Sequence, residues 1–263
     1  MDRNENLSRF FQSDGRTVML PLDHGTAIPV PDMPEPIQLI ESVLPSVDGF
    51  VFNLGLAMAV GDAISDKGLC LRTDVYKPRH ADNLDEGTYR LYGADEALTV
   101  GAHAMMNMLY LHHSNEAGIF REAGELIAES LTADVPVILE ALPYGIGRPA
   151  DYTVENIGFV VRAAAELGAD VVKTAFPTGA SAEDFRRIVD QCFVPVIVLG
   201  GAAMGDDEAL LTMVEKSIAA GAVGIAVGRN VWQHPRPARI AAALHAIVHD
   251  GAKTASAMKC LTS

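Results

Sequence analysis

Eight short apolar runs recur along this 263-residue chain with amphipathic stretches between them, an alternation that narrows the available folds more than any other feature. The runs begin near Thr17, Asp48, Leu69, His103, Val135, Ala169, Pro195 and Ala222. Most are short and nearly continuous in apolar character, as a parallel strand covered on both faces must be. The stretches from Asn115 to Leu131, Tyr152 to Leu167, Ser181 to Gln191 and Asp206 to Ala220 carry apolar residues at steps of three and four, the period of one helical face. Thr153 and Ser181 stand where side chains cap helix starts, with Asn156 and Asp184 three residues on. Gly168 and Gly221 stand where helices stop. Eight strand–helix units predict an α/β protein, a single (β/α)8 TIM barrel, with a doubly wound open sheet as the competing arrangement. No Pro/Ser-rich linker or charge run divides the chain. One domain over 1–263 is therefore expected, with a short polar N-terminal segment over 1–15 and a C-terminal tail over 252–263.

The net charge of −14 opposes binding to nucleic acid or an anionic membrane and points to small-molecule partners, while leaving room for a local anion site built from backbone amides. Cys70, Cys192 and Cys260 lie far apart without CxxC spacing. Neither a disulfide framework nor a thiolate zinc site is expected, and a reducing cytoplasm fits. The N-terminus has no apolar core of signal-peptide length, and no run approaches the ~18 apolar residues of a membrane helix.

In a barrel of this kind chemistry sits at the C-terminal ends of the strands. Polar residues are expected there on the first six: Asp23, Asn53, Arg72 with Asp74, Asn107, Glu140 and Lys173. Lys173 sits near the C-terminal end of the largely apolar run Ala169-Asp170-Val171-Val172-Lys173-Thr174-Ala175. A lysine so placed either snorkels to water or loses its proton, because desolvation lowers its pKa, and a neutral amine beside a pocket is a nucleophile toward carbonyls. The seventh run leads into Gly200-Gly201-Ala202-Ala203 and the eighth into Gly228-Arg229-Asn230, small residues that free backbone N–H groups to approach a ligand. Loops after strands seven and eight recur as phosphate sites in this architecture. A phosphorylated ligand is the expectation.

Duller accounts compete at each position. A strand-end lysine is often ion-paired or snorkelling, Asp23 can cap the next helix or pair with Lys173, Glu140 can be an ion-pair partner, and Gly200 and Gly228 can be turn glycines. His103, His112 and His113 have no metal-ligand spacing, and adjacent His112 and His113 cannot face one way on a strand, so no metal is expected. Gly145-Ile146-Gly147 does not complete a dinucleotide fingerprint. The run from Arg72 to Tyr92 reads as a solvated loop able to serve as a lid, in which Arg72, Lys77 and Arg79 are free to meet a second anionic group.

Together Asp23-His24-Gly25, Val171-Val172-Lys173-Thr174, Gly200-Gly201 and Gly228-Arg229-Asn230 resemble the class I aldolases of the archaeal-type fructose-bisphosphate aldolase, DeoC and LsrF-like superfamily, over roughly Thr17 to His249. The resemblance implies that Lys173 forms a Schiff base with a ketose phosphate without any cofactor or metal, that Asp23 assists proton transfer, and that His24, Gly200, Gly201, Ala202, Gly228 and Arg229 bind substrate and phosphate. It also implies a homo-oligomer.

One segment departs from the pattern. Where archaeal-type fructose-bisphosphate aldolases carry Tyr-Pro-Arg-Gly after the fifth strand, this chain reads Leu142-Pro143-Tyr144-Gly145. Either Tyr144 reaches in from two residues away, or Glu140, on the same strand face as Leu142, acts as acid/base. The expected reaction is cleavage or formation of a carbon–carbon bond in a phosphorylated ketose. Acyl transfer to coenzyme A on a phosphorylated diketone, as in LsrF-like relatives, and a non-catalytic sugar-phosphate-binding barrel remain open as alternatives.

Overall fold

The computed structural model describes residues 2–27, 30, 35–64, 66–75, 88–143 and 151–262. Each apolar run becomes a buried parallel strand: β1 (Thr17–Pro21), β2 (Gly49–Phe52), β3 (Gly68–Arg72), β4 (Ala104–Leu111), β5 (Val137–Pro143), β6 (Val171–Thr174), β7 (Val196–Leu199) and β8 (Gly224–Ala226). Strands adjacent in sequence pair with one another, and β8 closes onto β1 through Thr17↔Gly224 and Val18↔Ile225. That closure makes the (β/α)8 barrel and rules out the open sheet. The helices foreseen from periodicity form at Glu116–Ala133, Val154–Leu167, Ala182–Gln191 and Asp207–Ala219. Thr153 accepts from the Asn156 amide and Ser181 from that of Asp184, while Gly168 and Gly221 take the left-handed backbone that ends their helices.

Alternation along the strands produces two cores. Val18, Leu20, Phe50, Phe52, Leu69 and Leu71 belong to the large one beneath the helices. Met19, Val51, Cys70, Met106, Ile138, Val171, Ile197 and Ala226 belong to the smaller one inside the barrel. Phe10 joins that inner cluster from outside the strands, and a Cβ on Gly49 or Gly68 would lie within 2.5 Å of its ring. The N-terminal segment is therefore more than a polar lead-in. Its helix Arg3–Ser8 is anchored by Arg3, whose Nε donates to Asp170 Oδ1 at 2.7 Å, and it delivers Phe10 as a plug at the end of the barrel where the strands begin.

The Arg72–Tyr92 run departs from its reading as a solvated loop. Asp74–Val75 pairs antiparallel with Tyr89–Arg90, and Arg72, Thr73, Asp74 and Val75 are all buried. Lys77 and Arg79 lie outside the described residues.

Candidate active site

A step of two along each strand links the inner apolar core to a polar layer above it. Cys70 is followed by Arg72, Ile138 by Glu140 and Val171 by Lys173, so the same alternation that packs the barrel aims one cation, one carboxylate and one amine into its C-terminal mouth. Glu140 and Lys173 are register partners on β5 and β6. β1 ends just short of a tight turn, Asp23–Thr26, which brings Asp23 into the same cluster. Asn53, at the end of β2, fixes that turn by donating to the Asp23 carbonyl at 2.7 Å.

Lys173 is 4% exposed, so it does not snorkel. Its Nζ instead sits 2.9 Å from Glu140 Oε1, with Met106 Sδ at 3.8 Å on another side. Glu140 Oε2 accepts from Arg72 Nη2 at 2.5 Å, and Arg72 Nε donates to Asp23 Oδ2 at 2.7 Å. Arg72 Nη1 reaches Asp74 Oδ1 at 3.3 Å, and Asp74 Oδ2 accepts from the Met108 amide at 3.0 Å. Asp23 thus pairs with Arg72 rather than with Lys173. Its other oxygen, Oδ1, is buried with no hydrogen-bond partner among the described residues and lies 3.6 Å from His24 Nδ1.

These contacts decide the protonation states. Burial opposes ionisation of Asp23, but Arg72, His24 and Lys173 together hold its carboxyl below the usual range. Burial likewise opposes ionisation of Glu140, and Lys173 and Arg72 outweigh it. Asp74 goes the other way: burial pushes it up to about 6 despite Arg72 and the Met108 amide. Burial lowers His24 to about 4 against the pull of Asp23, with Arg229 and Lys173 assisting, so its imidazole is neutral at neutral pH.

The glycine loops converge on the β1 turn. Gly228 is required because a Cβ there would lie 2.6 Å from His24 Cε1 and 2.7 Å from the Pro21 carbonyl oxygen. His24 in turn packs edge-on against Trp232, ring centroids 5.5 Å apart. Arg229 begins the short helix Arg229–Trp232, and its Nε is buried without a hydrogen-bond partner among the described residues. Gly201 has positive φ, and Ala202 follows it in the same loop. Asn230 Nδ2 donates to the carbonyls of Gly200 and Ala202 at 2.9 and 3.0 Å, while its Oδ1 accepts from the Met204 amide at 2.8 Å. This one side chain ties the β7 loop to the β8 loop. Beside the Asp23 turn opens a cleft of about 310 Å³ lined by Leu22, Gly25, Thr26, Asn53, Asp74 and Tyr92, among others.

Of the sequence-selected residues, Lys173, Glu140, Asp23, His24, Gly200, Gly201, Ala202, Gly228 and Arg229 fall at this mouth. Tyr144 lies outside the described residues. Arg72, read both as a strand-end polar residue and as part of a lid-like loop, is the hub of the cluster, with Asp74 beside it. The Asn230 clamp has no sequence signal beyond its place after Gly228-Arg229. Of the histidines raised in the sequence, His103 Nδ1 accepts from the Leu69 amide, and His113 stacks on Tyr110.

Comparison with known proteins bears directly on this cluster. The sequence model of the DeoC/LacD family of aldolases matches residues 17–234, from β1 through the Arg229 turn. The chain is 31% identical over 250 residues to 2-amino-3,7-dideoxy-D-threo-hept-6-ulosonate synthase 1 of Archaeoglobus fulgidus, covering 95% of this chain and 92% of that protein. It is 30% identical over 261 residues to a class 1 fructose-bisphosphate aldolase of Thermoproteus tenax, covering 95% and 96%. It superposes with a TM-score of 0.81 on an archaeal fructose-1,6-bisphosphate aldolase whose catalytic lysine is covalently bound to the carbinolamine intermediate, at 27% identity and covering 94% of this chain and 99% of that one.

Proposed function

This chain belongs to the DeoC/LacD family of aldolases, and we propose that Lys173 is the imine-forming residue through which it makes or breaks a carbon–carbon bond of a phosphorylated ketose or ketone. The observation that carries the reading is the Lys173–Glu140 pair, an amine and a carboxylate 2.9 Å apart at the mouth of a barrel of this family. Amine attack on a ketone needs a group that removes the amine proton and later returns one to the carbinolamine hydroxyl as it leaves as water. Glu140 Oε1, 2.9 Å from the amine, suits both steps. The protonated imine is then the electron sink: as the bond to the aldehyde carbon breaks, its electron pair passes into the iminium to give an enamine. The hydroxyl proton on the departing fragment goes to a carboxylate, and the unpartnered Oδ1 of Asp23 suits that role. Protonation and hydrolysis of the enamine return the ketone and free Lys173. The imine itself supplies the sink, so the proposal includes no metal and no organic cofactor.

Gly200, Gly201, Ala202, Gly228 and Arg229 hold the phosphate in this reading, next to neutral His24, so that binding energy fixes the carbonyl against the amine. Tyr144 stays in the proposal as a second proton-transfer group, with Glu140 standing in for the family's tyrosine on β5. The three free cysteines support a cytoplasmic setting. A homo-oligomeric assembly is part of the proposal, as the family resemblance implies.

The test is borohydride trapping with dihydroxyacetone phosphate, read by peptide mass spectrometry on wild type and Lys173→Met. An adduct on the Lys173 peptide, lost in the folded variant, is expected. Phosphate binding without any adduct would instead support a non-catalytic barrel.

A further inference from the structure

Arg72 stands apart from the residues that touch substrate in the reading above, yet it contacts three of the cluster's carboxylates. Its side chain is 1% exposed and carries five N–H donors in a fixed fork. Those donors reach Asp23 from the β1 turn, Asp74 beside β3, and Glu140 from β5. The distribution is selective. Arg72 takes Oδ2 of Asp23 and leaves Oδ1 without a hydrogen-bond partner among the described residues; it takes Oε2 of Glu140 and leaves Oε1 on Lys173.

We propose that Arg72 is a positioning residue that grips Asp23 and Glu140 by one oxygen each, so that the other oxygen of each carboxylate is held on the imine-forming side for proton transfer. The inference rests on Lys173 being that imine-forming residue. Two buried carboxylates, one in the β1 turn and one on β5, repel each other and would otherwise turn toward water or be protonated. A planar cation set between them fixes both orientations at once, which a lysine, with a point charge on a flexible stem, does not do. Asp74 holds the guanidinium from the far side at 3.3 Å. Asp74 borders the cleft that also includes Asn53 and Thr26, so the chain Asp74–Arg72–Glu140 joins that cleft to the amine.

Among the described residues, the charged and titratable groups facing this cluster are Asp23 and His24 from the β1 turn, Cys70 and Asp74 near β3, Glu140 on β5, Lys173 on β6 and Arg229 after β8. Removing Arg72 takes away a main stabiliser of both catalytic carboxylates in their ionised forms. The experiment measures the rate of borohydride-trappable adduct formation with dihydroxyacetone phosphate, as a function of pH, for wild type, Arg72→Lys and Arg72→Met, with circular dichroism confirming each fold. In Arg72→Lys the rate should fall about tenfold or more while the acid limb of its pH profile stays put, since charge is kept and orientation lost. In Arg72→Met the acid limb should move up by about one pH unit or more. A purely structural arginine would move neither in a folded variant, and two folded variants with wild-type rate and limb would overturn the inference. Should Arg72→Met fail to fold, Arg72→Lys decides alone. Absence of any adduct in wild type would remove the Schiff-base reading, and this inference with it.

Discussion

Glu140 and Lys173 occupy the same rung of the β5–β6 ladder, and the carboxylate Oε1 lies 2.9 Å from the amine Nζ. Directly opposed residues on neighbouring strands are held at short range by the sheet itself, without help from a loop. Replacing the carboxylate by an amide keeps shape and removes the proton acceptor. Glu140→Gln should therefore keep its fold while adduct formation on Lys173 slows by about 10²- to 10⁴-fold, the usual worth of a positioned acid/base. Single-turnover trapping measures this. A folded Glu140→Gln with wild-type kinetics would transfer the role to Tyr144.

Asp74 makes a prediction about stability against pH. Its native pKa, about 6, lies above its ordinary 3.8, so the folded state binds the proton more tightly than the unfolded chain. Its contribution to stability is fully present below the unfolded value and is lost as pH rises through the folded one. Asp74→Asn removes that titration. Between about pH 4 and pH 6 the wild type should lose on the order of 2–3 kcal/mol relative to the variant. Urea denaturation across that window reads the difference, and parallel curves for the two proteins would refute it.

The plug at the base of the barrel separates stability from chemistry. Phe10 is 1% exposed, fills space left by Gly49 and Gly68, and lies at the end opposite the Lys173 cluster. Truncation to alanine leaves a cavity that glycine backbones cannot collapse to fill. Phe10→Ala should cost about 3–5 kcal/mol in chemical denaturation. Its trapping rate, measured where the variant remains folded, should stay within about twofold of wild type. A loss below about 1 kcal/mol would mean that the segment only rests on the barrel.

What could be read from the sequence, and what could not, divides along physical lines. The eight strands and four of the helices were legible because burial on both faces and amphipathic spacing are local properties of the chain. Lys173 and Glu140 were legible because a charge inside an apolar run is conspicuous. Arg72 was legible as a strand-end polar residue but not as the hub, because the polar residues after it, from Thr73 through Lys77 and Arg79, resemble a solvated loop. What buries it is three carboxylates, two of them 49 and 68 residues away. The plug was missed because Leu7, Phe10 and Phe11 make too short an apolar group in a polar segment to read as core, and the matching vacancies at Gly49 and Gly68 exist only once the barrel is closed. Pairings set by closure leave no periodicity to count.

Asn230 carries the last prediction, because its side chain links the β7 and β8 loops through both its donor and its acceptor atoms. It donates to the Gly200 and Ala202 carbonyls and accepts from the Met204 amide. Asn230→Ala leaves these groups without the partner that shapes the loop. Asn230→Asp keeps an acceptor for Met204 but turns an oxygen toward two carbonyl oxygens. If residues 200–202 hold phosphate, both variants should weaken binding, and the aspartate more than the alanine, since it adds negative charge as well as lost geometry. Titration calorimetry with dihydroxyacetone phosphate on a Lys173→Met background separates binding from chemistry. The expected order is parent tightest, alanine about tenfold weaker and aspartate weaker still, each lost hydrogen bond being worth about 1 kcal/mol. Equal affinity in all three would detach the clamped loop from phosphate binding and shift attention to Arg229, whose buried Nε has no hydrogen-bond partner among the described residues.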